Sequence, residues 1–559
     1  MRTNRRIWHR SGVVLVFCVI VFWMTGFAGS AQKSRAISSA ESAPAVPSQP
    51  YLSTGFPQVV TVSGTDREMG IQYGEQAAPA IVHNVAIFKS RLFDSLGRET
   101  TESDMRVWDY YLTRHDPVYR EWLYGILEGC RNKGYEVSYL DLIALMIYPT
   151  ELWSRPKAPY PAETRITTPK AALPAISGSG FHSCNTFAAA GAMTPDGKPI
   201  HGITSMAETE AMNNVILLAF PARGASFVGQ TYAGRVNSNY AMNSKGLAWT
   251  MTAIMSDNPV WGVAPEVYFH YLAQLTASPA EALEYLKSTP KAGVTGGFTL
   301  TDAAGNISVF EGTADHFHLS HPGERGEPGP FVVQTNHLVG KSLAAFNPKW
   351  LADIGTYARY DTLFQFLKEA PAAAVNFAFG KNLFASCDWY DSGKAAWNRN
   401  KPGVQEISNS HTSVSQAIFF PADLIAYLQT GTPSGRGIPA YATGEYVKIK
   451  LATDPKAVVK QADKDALDLY WDACDSFEQD MNARAGHLTP AIAAGIEDKL
   501  DQAMAAYAQG MDRSSFASLS ADVKKQMALW ADAMTYYAKA QLYGQMAKTE
   551  LVKARTAIH

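Results

Sequence analysis

Between Arg155 and Ser183 the chain carries Pro156, Pro159, Pro161, Pro169 and Pro174, followed by Ser177-Gly178-Ser179-Gly180. Neither a helix nor a sheet interior tolerates that density, because proline lacks a backbone donor and glycine loses the most conformational entropy on ordering. An exposed, deformable loop is expected there, and it separates two textures. Upstream, from about Thr61 to Trp153, the pattern is helical. Thr65 and Glu68 stand at capping-box spacing, and Gly70 and Gly74 lie one turn apart, where a neighbouring backbone can approach. Tyr110, Trp122, Leu123, Ile126 and Leu127 give the later turns apolar faces. Downstream, short β-rich runs alternate with turn signals. Strands are expected over Thr186 to Ala190, Pro199 to Thr204, Asn214 to Phe220, Ala248 to Ile254, Phe298 to Asp302, Ile307 to Glu311 and Phe331 to Thr335. Asp196-Gly197 and Gly305-Asn306 suit tight hairpins. One helix, over Pro279 to Lys287, is announced by Ser278 and Glu281 and by proline at its first position. Mixed strands and helices of this kind imply a layered α+β body.

Beyond about Ala452 the pattern turns helical again. Met527, Trp530, Met534 and Tyr537 share one face, and Thr489-Pro490 and Ser520 read as helix starts. At the other end, Arg2, Arg5, Arg6 and Arg10 precede an apolar run from Val13 to Phe27 and the small residues Ala28 to Ala31. This reads as an export signal over residues 1–31 cleaved near Ala31, or as an uncleaved anchor; either places the body outside the cytoplasm, periplasmic or secreted. Residues 32–55, with Pro44, Pro47 and Pro50, read as a disordered tether. The divisions that follow are a helical segment 56–183, a body 184–451 and a helical region 452–559. With 49 basic and 51 acidic residues the net charge is −2, so no global field would gather nucleic acid.

The segment Phe181-His182-Ser183-Cys184-Asn185-Thr186-Phe187 runs on through Asp196-Gly197 to Ile200-His201-Gly202. A cysteine that follows a flexible loop and opens a strand, with a hairpin beside it, is held at a sheet edge. Read alone, such a thiol is more often a small buried hydrophobe than a nucleophile. The cysteines Cys130, Cys184, Cys387 and Cys474 are scattered without metal-ligand spacing, and in an oxidising compartment an even count suggests two disulfides, or at most one if Cys184 is free. His201, His316, His318, His321, His337 and His411 offer no third ligand at a persuasive interval, so neither a metal nor any other cofactor is expected. Asp302, Glu311 and Glu208 are carboxylates that can orient groups in a pocket, although single carboxylates are usually solvated.

The cysteine hairpin resembles the nucleophile segment of the acyl-coenzyme A:6-aminopenicillanic acid acyltransferase (isopenicillin-N acyltransferase) family of N-terminal-nucleophile hydrolases. Val62-Ser63-Gly64, Met69-Gly70 and Tyr73-Gly74 resemble its helical prosegment, Ala241-Met242-Asn243 with Gly246-Leu247-Ala248 its central strand pair, and Thr335-Asn336-His337 its TNH element. The resemblance covers about residues 56 to 450. It implies a four-layer αββα sandwich with a helical prosegment and a helical C-terminal extension. It also implies self-cleavage between Ser183 and Cys184, giving a light chain and a heavy chain, with Cys184 as nucleophile and its freed amine as base. Asn336 would then donate to the oxyanion, and Thr252 stands where choloylglycine hydrolases carry a second oxyanion asparagine. Where many relatives have an Arg and an Asp, this chain has Ile203 and Met206.

Three readings compete. The first is a hydrolase or acyltransferase acting on a linear amide or related small acyl donor through a thioester on Cys184. The second keeps the machinery and turns it on lipid esters, as in phospholipase-B-like members of the superfamily, because Thr204, Ser205 and Thr252 supply hydroxyls in this region. The third is an inactive envelope binding protein of the same fold, motivated by the missing Arg and Asp.

Overall fold

The structure, a computed structural model, describes residues 58–156, 158–167, 184–206, 214–237, 239–255, 259–292, 294–349, 351, 355–399, 413–430, 445–483 and 486–557. The expected signal, the tether and Ser183 lie outside these residues. Strand β1 (Gln58–Gly64) leads into four helices, α1 (Asp66–Leu96), α2 (Arg98–His115), α3 (Pro117–Asn132) and α4 (Tyr139–Ser154). Then follow β2 (Cys184–Gly191), β3 (Gly197–Met206), β4 (Asn214–Pro221), β5 (Phe227–Tyr232), β6 (Tyr240–Asn243) and β7 (Ala248–Met255). Two helices, α5 (Pro265–His270) and α6 (Pro279–Ser288), precede β8 (Val294–Thr301), β9 (Ile307–Gly312), β10 (Phe317–Ser320) and β11 (Phe331–Gln334). Next come α7 (Thr356–Glu369), α8 (Phe377–Ala385), β12 (Trp389–Asp391), β13 (Ala396–Asn398), β14 (Ser413–Phe420), β15 (Ile425–Thr430) and β16 (Val447–Lys450). The chain closes with α9 (Pro455–Asn482), α10 (Pro490–Leu519) and α11 (Val523–Thr556).

The strands form an eight-stranded sheet in the order β1-β4-β5-β6-β7-β8-β9-β10, a six-stranded sheet in the order β11-β2-β3-β14-β15-β16, and the small hairpin β12-β13. The inner faces meet through Ile216, Leu218, Val228 and Met242 on one side and Ile203, Ala417, Phe419 and Leu428 on the other. Leu217, Phe227, Trp249 and Phe298 face outward from the large sheet and pack with Met69, Phe88, Trp122 and Tyr268. Phe187, Ile200, Phe331 and Ile418 face outward from the small sheet beneath Leu363 and Leu367 of α7 and Phe384 of α8. Helices, sheet, sheet and helices make the four-layer αββα sandwich, each layer burying the apolar face its neighbour requires.

The capping box at Thr65 forms as its spacing implies, with the Glu68 amide donating to Thr65 Oγ1 and the Thr65 amide to Glu68 Oε2. Gly70 and Gly74 press α1 against Gly125 and Gly129 of α3; a Cβ on Gly74 would lie 2.4 Å from the Ile126 carbonyl oxygen. No other residue fits this crossing. The stretch from Thr61 to Gly64, read as the start of a helix, is instead the end of β1, which pairs in parallel with β4. Ser520, read as a helix start, ends α10, and Asp522 two residues later caps α11. Among the described residues Cys130, Cys184, Cys387 and Cys474 form no disulfide, contrary to the expected bridges. Among the described residues no helix is long and apolar enough to cross a membrane.

Helix α11 lies along the ends of both sheets. Thr535 Oγ1 accepts from the Val59 amide of β1 at 3.0 Å, and Gln541 Oε1 from the Lys448 amide of β16 at 2.9 Å. Two edge strands thereby gain partners for backbone groups that would otherwise recruit another chain. A second tie crosses from the N-terminal helices to α5. His270 Nδ1 meets the carboxylate of Asp116, the N-cap of α3, at 2.5 Å, and its Nε2 lies 3.0 Å from Gln274 Oε1. Gln274 donates through Nε2 to Asp66 and to the Arg223 carbonyl, while its Oε1 also accepts from Trp122 Nε1. Both imidazole nitrogens thus face acceptors, the arrangement of a doubly protonated ring.

Candidate active site

Cys184 opens β2, the second strand of the six-stranded sheet, opposite Ser205 of β3, and is buried. Its Sγ accepts from Nδ2 of Asn239 at 3.4 Å and lies 3.9 Å from Ser205 Oγ. Asn239 immediately precedes β6, and its amide is aimed by two further contacts: Nδ2 also donates to the Met251 carbonyl at 2.9 Å, and Oδ1 accepts from Ser205 Oγ at 3.4 Å. The thiol of one sheet therefore meets an amide donor from the other.

The backbone of Cys184 is held as closely as its side chain. Its N–H donates to Asn336 Oδ1 at 2.8 Å, and its carbonyl accepts from Arg359 Nη1 at 3.0 Å. Arg359, on α7, also donates to Asn185 Oδ1 at 2.6 Å and, through Nη2, to Asn336 Oδ1 at 3.0 Å. This guanidinium is fully buried, and burial pushes its pKa down to about 10, opposed by attraction to Cys184. Its named hydrogen bonds go to neutral oxygens, so its charge is available to the sulfur. Ile203 is buried in the inter-sheet core, and the cation beside Cys184 comes from α7.

Asn336 follows β11 and differs in orientation from the sequence expectation. Its Nδ2 donates to the Ala253 carbonyl at 2.8 Å, leaving Oδ1 to hold the Cys184 nitrogen. Its own backbone amide donates to Thr356 Oγ1 at 2.9 Å. Thr252, between the two β7 carbonyls that the asparagines anchor, is fully buried with its hydroxyl unpaired. The structure thus brings Cys184 and Asn336 together, places Thr252 on the adjoining strand, and adds Asn239 and Arg359, which sequence reasoning missed. Asn239 lay four residues before the quoted Asn243. Arg359 had no local signal, because only the docking of α7 delivers it.

Two of the candidate histidines, His201 and His337, take neutral, structural places. His201 hydrogen-bonds through Nε2 to Thr250 at 2.9 Å, and His337 through Nδ1 to Thr335 and Thr356 at 3.1 Å. Burial pushes both pKa values down to about 3, helped at His337 by Arg359 and Arg325.

Residues 196–375 match the sequence model of the family described as acyl-coenzyme A:6-aminopenicillanic acid acyl-transferase. An uncharacterized protein of Archaeoglobus fulgidus is 30% identical over 243 residues, which cover 40% of this chain and 39% of that protein, so the chain spans about two fifths of this relative's length. Among solved structures, the Caenorhabditis elegans ortholog of N-acylethanolamine-hydrolyzing acid amidase aligns at 13% identity and a TM-score of 0.30, covering 43% of this chain and 93% of that one. Penicillin V acylase from Agrobacterium tumefaciens aligns at 14% and 0.29, covering 44% and 83%. The segment from 196 to 375 that matches this family model carries Asn239, Thr252, Asn336 and Arg359.

Proposed function

We propose that the chain is an exported cysteine hydrolase or acyltransferase that cuts itself before Cys184 and then accepts an acyl group from a linear amide. The observation that carries this reading is that one residue has both its nitrogen and its sulfur held by side-chain amides, Asn336 Oδ1 on the one and Asn239 Nδ2 on the other. A simple core cysteine needs neither. In the uncut chain the thiol adds to the Ser183 carbonyl, the Ser183–Cys184 C–N bond breaks to leave a thioester and a free α-amine, and water hydrolyses the thioester. The amine that results sits on Asn336 Oδ1, with an ordinary pKa near ~8. It takes the thiol proton as sulfur attacks the substrate carbonyl, and returns it to the departing amine. Water or a second amine then resolves the thioester. Asn239 Nδ2 takes the oxyanion role, and Asn336 orients the base. Arg359 places a positive charge behind the nucleophile, which favours thiolate. The neutral His201 and His337 support the amine as base.

Export rests on the N-terminal arginines and apolar run, and fractionation that finds the intact chain in the cytosol would refute it. N-terminal sequencing of the purified protein is the central test: fragments ending at Ser183 and beginning at Cys184 are expected, and Cys184→Ala should stay whole and inactive. A panel of N-acyl amino acids, β-lactams, bile-salt conjugates and lysophospholipids assigns the substrate. Turnover of lysophospholipid with none of any amide would shift the assignment to lipid esters.

A further inference from the structure

Glu311, on β9, is fully buried and is not among the side chains that touch Cys184. Its carboxylate is nonetheless saturated. Oε1 accepts from the Val339 amide at 2.7 Å and from Gln334 Nε2 at 3.1 Å, and Oε2 accepts from the Gly340 amide at 2.8 Å. Arg325 Nη2 faces Oε2 at 3.3 Å. Gln334 ends β11, and Val339 and Gly340 lie just past the Thr335-Asn336-His337 turn. One side chain from the large sheet therefore grips both ends of the turn that presents Asn336. Gln334 tightens the grip by donating to the His337 carbonyl at 2.8 Å while its Oε1 accepts from Arg325 Nη1 at 2.6 Å.

A buried carboxylate costs far more to desolvate than a neutral group, and two backbone amides could be satisfied without one. What a carboxylate adds here is several acceptor directions at a single point, shared between a strand end and a loop. We infer that Glu311 is a positioning residue for the reaction: braced by Arg325, it fixes the 334–340 turn so that Asn336 Oδ1 meets the nitrogen of Cys184. The inference rests on the function proposed above and names how that site is kept in register.

Glu311→Gln keeps the shape but turns one acceptor into a donor that faces a backbone N–H. In the self-cleaving protein kcat should fall about a hundredfold with KM little changed, the loss typical of a reacting group displaced by about an ångström. Self-cleavage should slow in parallel. Leu286→Ala, which opens a cavity on α6, serves as the stability control and should lower the melting temperature without moving kcat. A second arm needs no activity. In a Cys184→Ala background the chain stays whole and residue 184 retains an amide N–H, whose hydrogen exchange is read by mass spectrometry together with that of residues 339 and 340. Glu311→Gln should speed exchange at 339–340 and also at 184, whereas faster exchange at 339–340 alone overturns the inference. Should Glu311→Gln fail to fold, Gln334→Met carries the same test, since it severs the amide link and leaves the Glu311–Arg325 pair. If the wild type neither cuts itself nor turns over any acyl amide, the proposed function fails by itself, and exchange at residue 184 decides the role of Glu311.

Discussion

Cys184 was conspicuous because its neighbours in sequence are unusual, whereas the groups that equip it come from far along the chain. Asn239 is 55 residues away, Asn336 is 152 and Arg359 is 175. Asn336 was legible because it sits in a short motif. Arg359 lies in a helix whose pattern is that of any amphipathic segment, and Asn239 has only strand residues after it. Thr252, the residue expected to fill the second donor position, is buried nearby, but the geometry favours Asn239 for that role. Asn239→Ala should therefore lower kcat by roughly 10²- to 10³-fold, the usual effect of removing one oxyanion donor. Thr252→Val should cost little. Steady-state kinetics on an amide substrate separates the two, and equal losses would return the donor role to Thr252.

Several helix starts were legible for a physical reason. Caps and one-turn spacings are local, so the starts of α1, α6 and α10 follow from Thr65, Ser278 and Thr489. Strand β1 was hidden because its partner β4 is remote, and its end from Thr61 to Gly64, beside a strong cap, reads as part of the helix. The pairing of α3 with α5 through Asp116 and His270 was equally invisible, and it gives the fold a pH dependence. Burial alone would lower the His270 pKa, but the Asp116 carboxylate and the bond to Gln274 outweigh it and raise the pKa above its ordinary value. A group whose folded pKa is raised contributes stability that is fully present below its unfolded pKa, about 6.5, and lost as pH rises through the folded value. The melting temperature should accordingly decline from neutral pH upward. His270→Gln strands Asp116 in the interior and should cost roughly 3–5 kcal/mol at pH 6, with the gap to wild type narrowing at higher pH. A gap that widens with pH would show that His270 is neutral in the native protein.

On the scale of the whole molecule, the proposed cut divides the four-layer sandwich without dividing its cores. The apolar cluster on the outer face of the large sheet combines α1 to α4 with β4, β5, β7 and β8, and among the described residues no disulfide joins the two sides. The fragments should run as two bands on a denaturing gel with or without reductant, yet elute as one species in native buffer. Strand β1 sharpens the consequence, because it occupies the edge of the large sheet, pairs in parallel with β4 and lies on the light-chain side of Cys184. Before cleavage, closing that pair is an intramolecular event whose rate is indifferent to protein concentration. After cleavage the same strand must be captured from solution. Refolding of the cut protein from denaturant should thus follow second-order kinetics and fail on dilution, while the uncut Cys184→Ala chain refolds at a rate independent of dilution. Self-processing would then be a step in molecularity: the precursor can find its fold alone, and the mature protein, once opened, cannot.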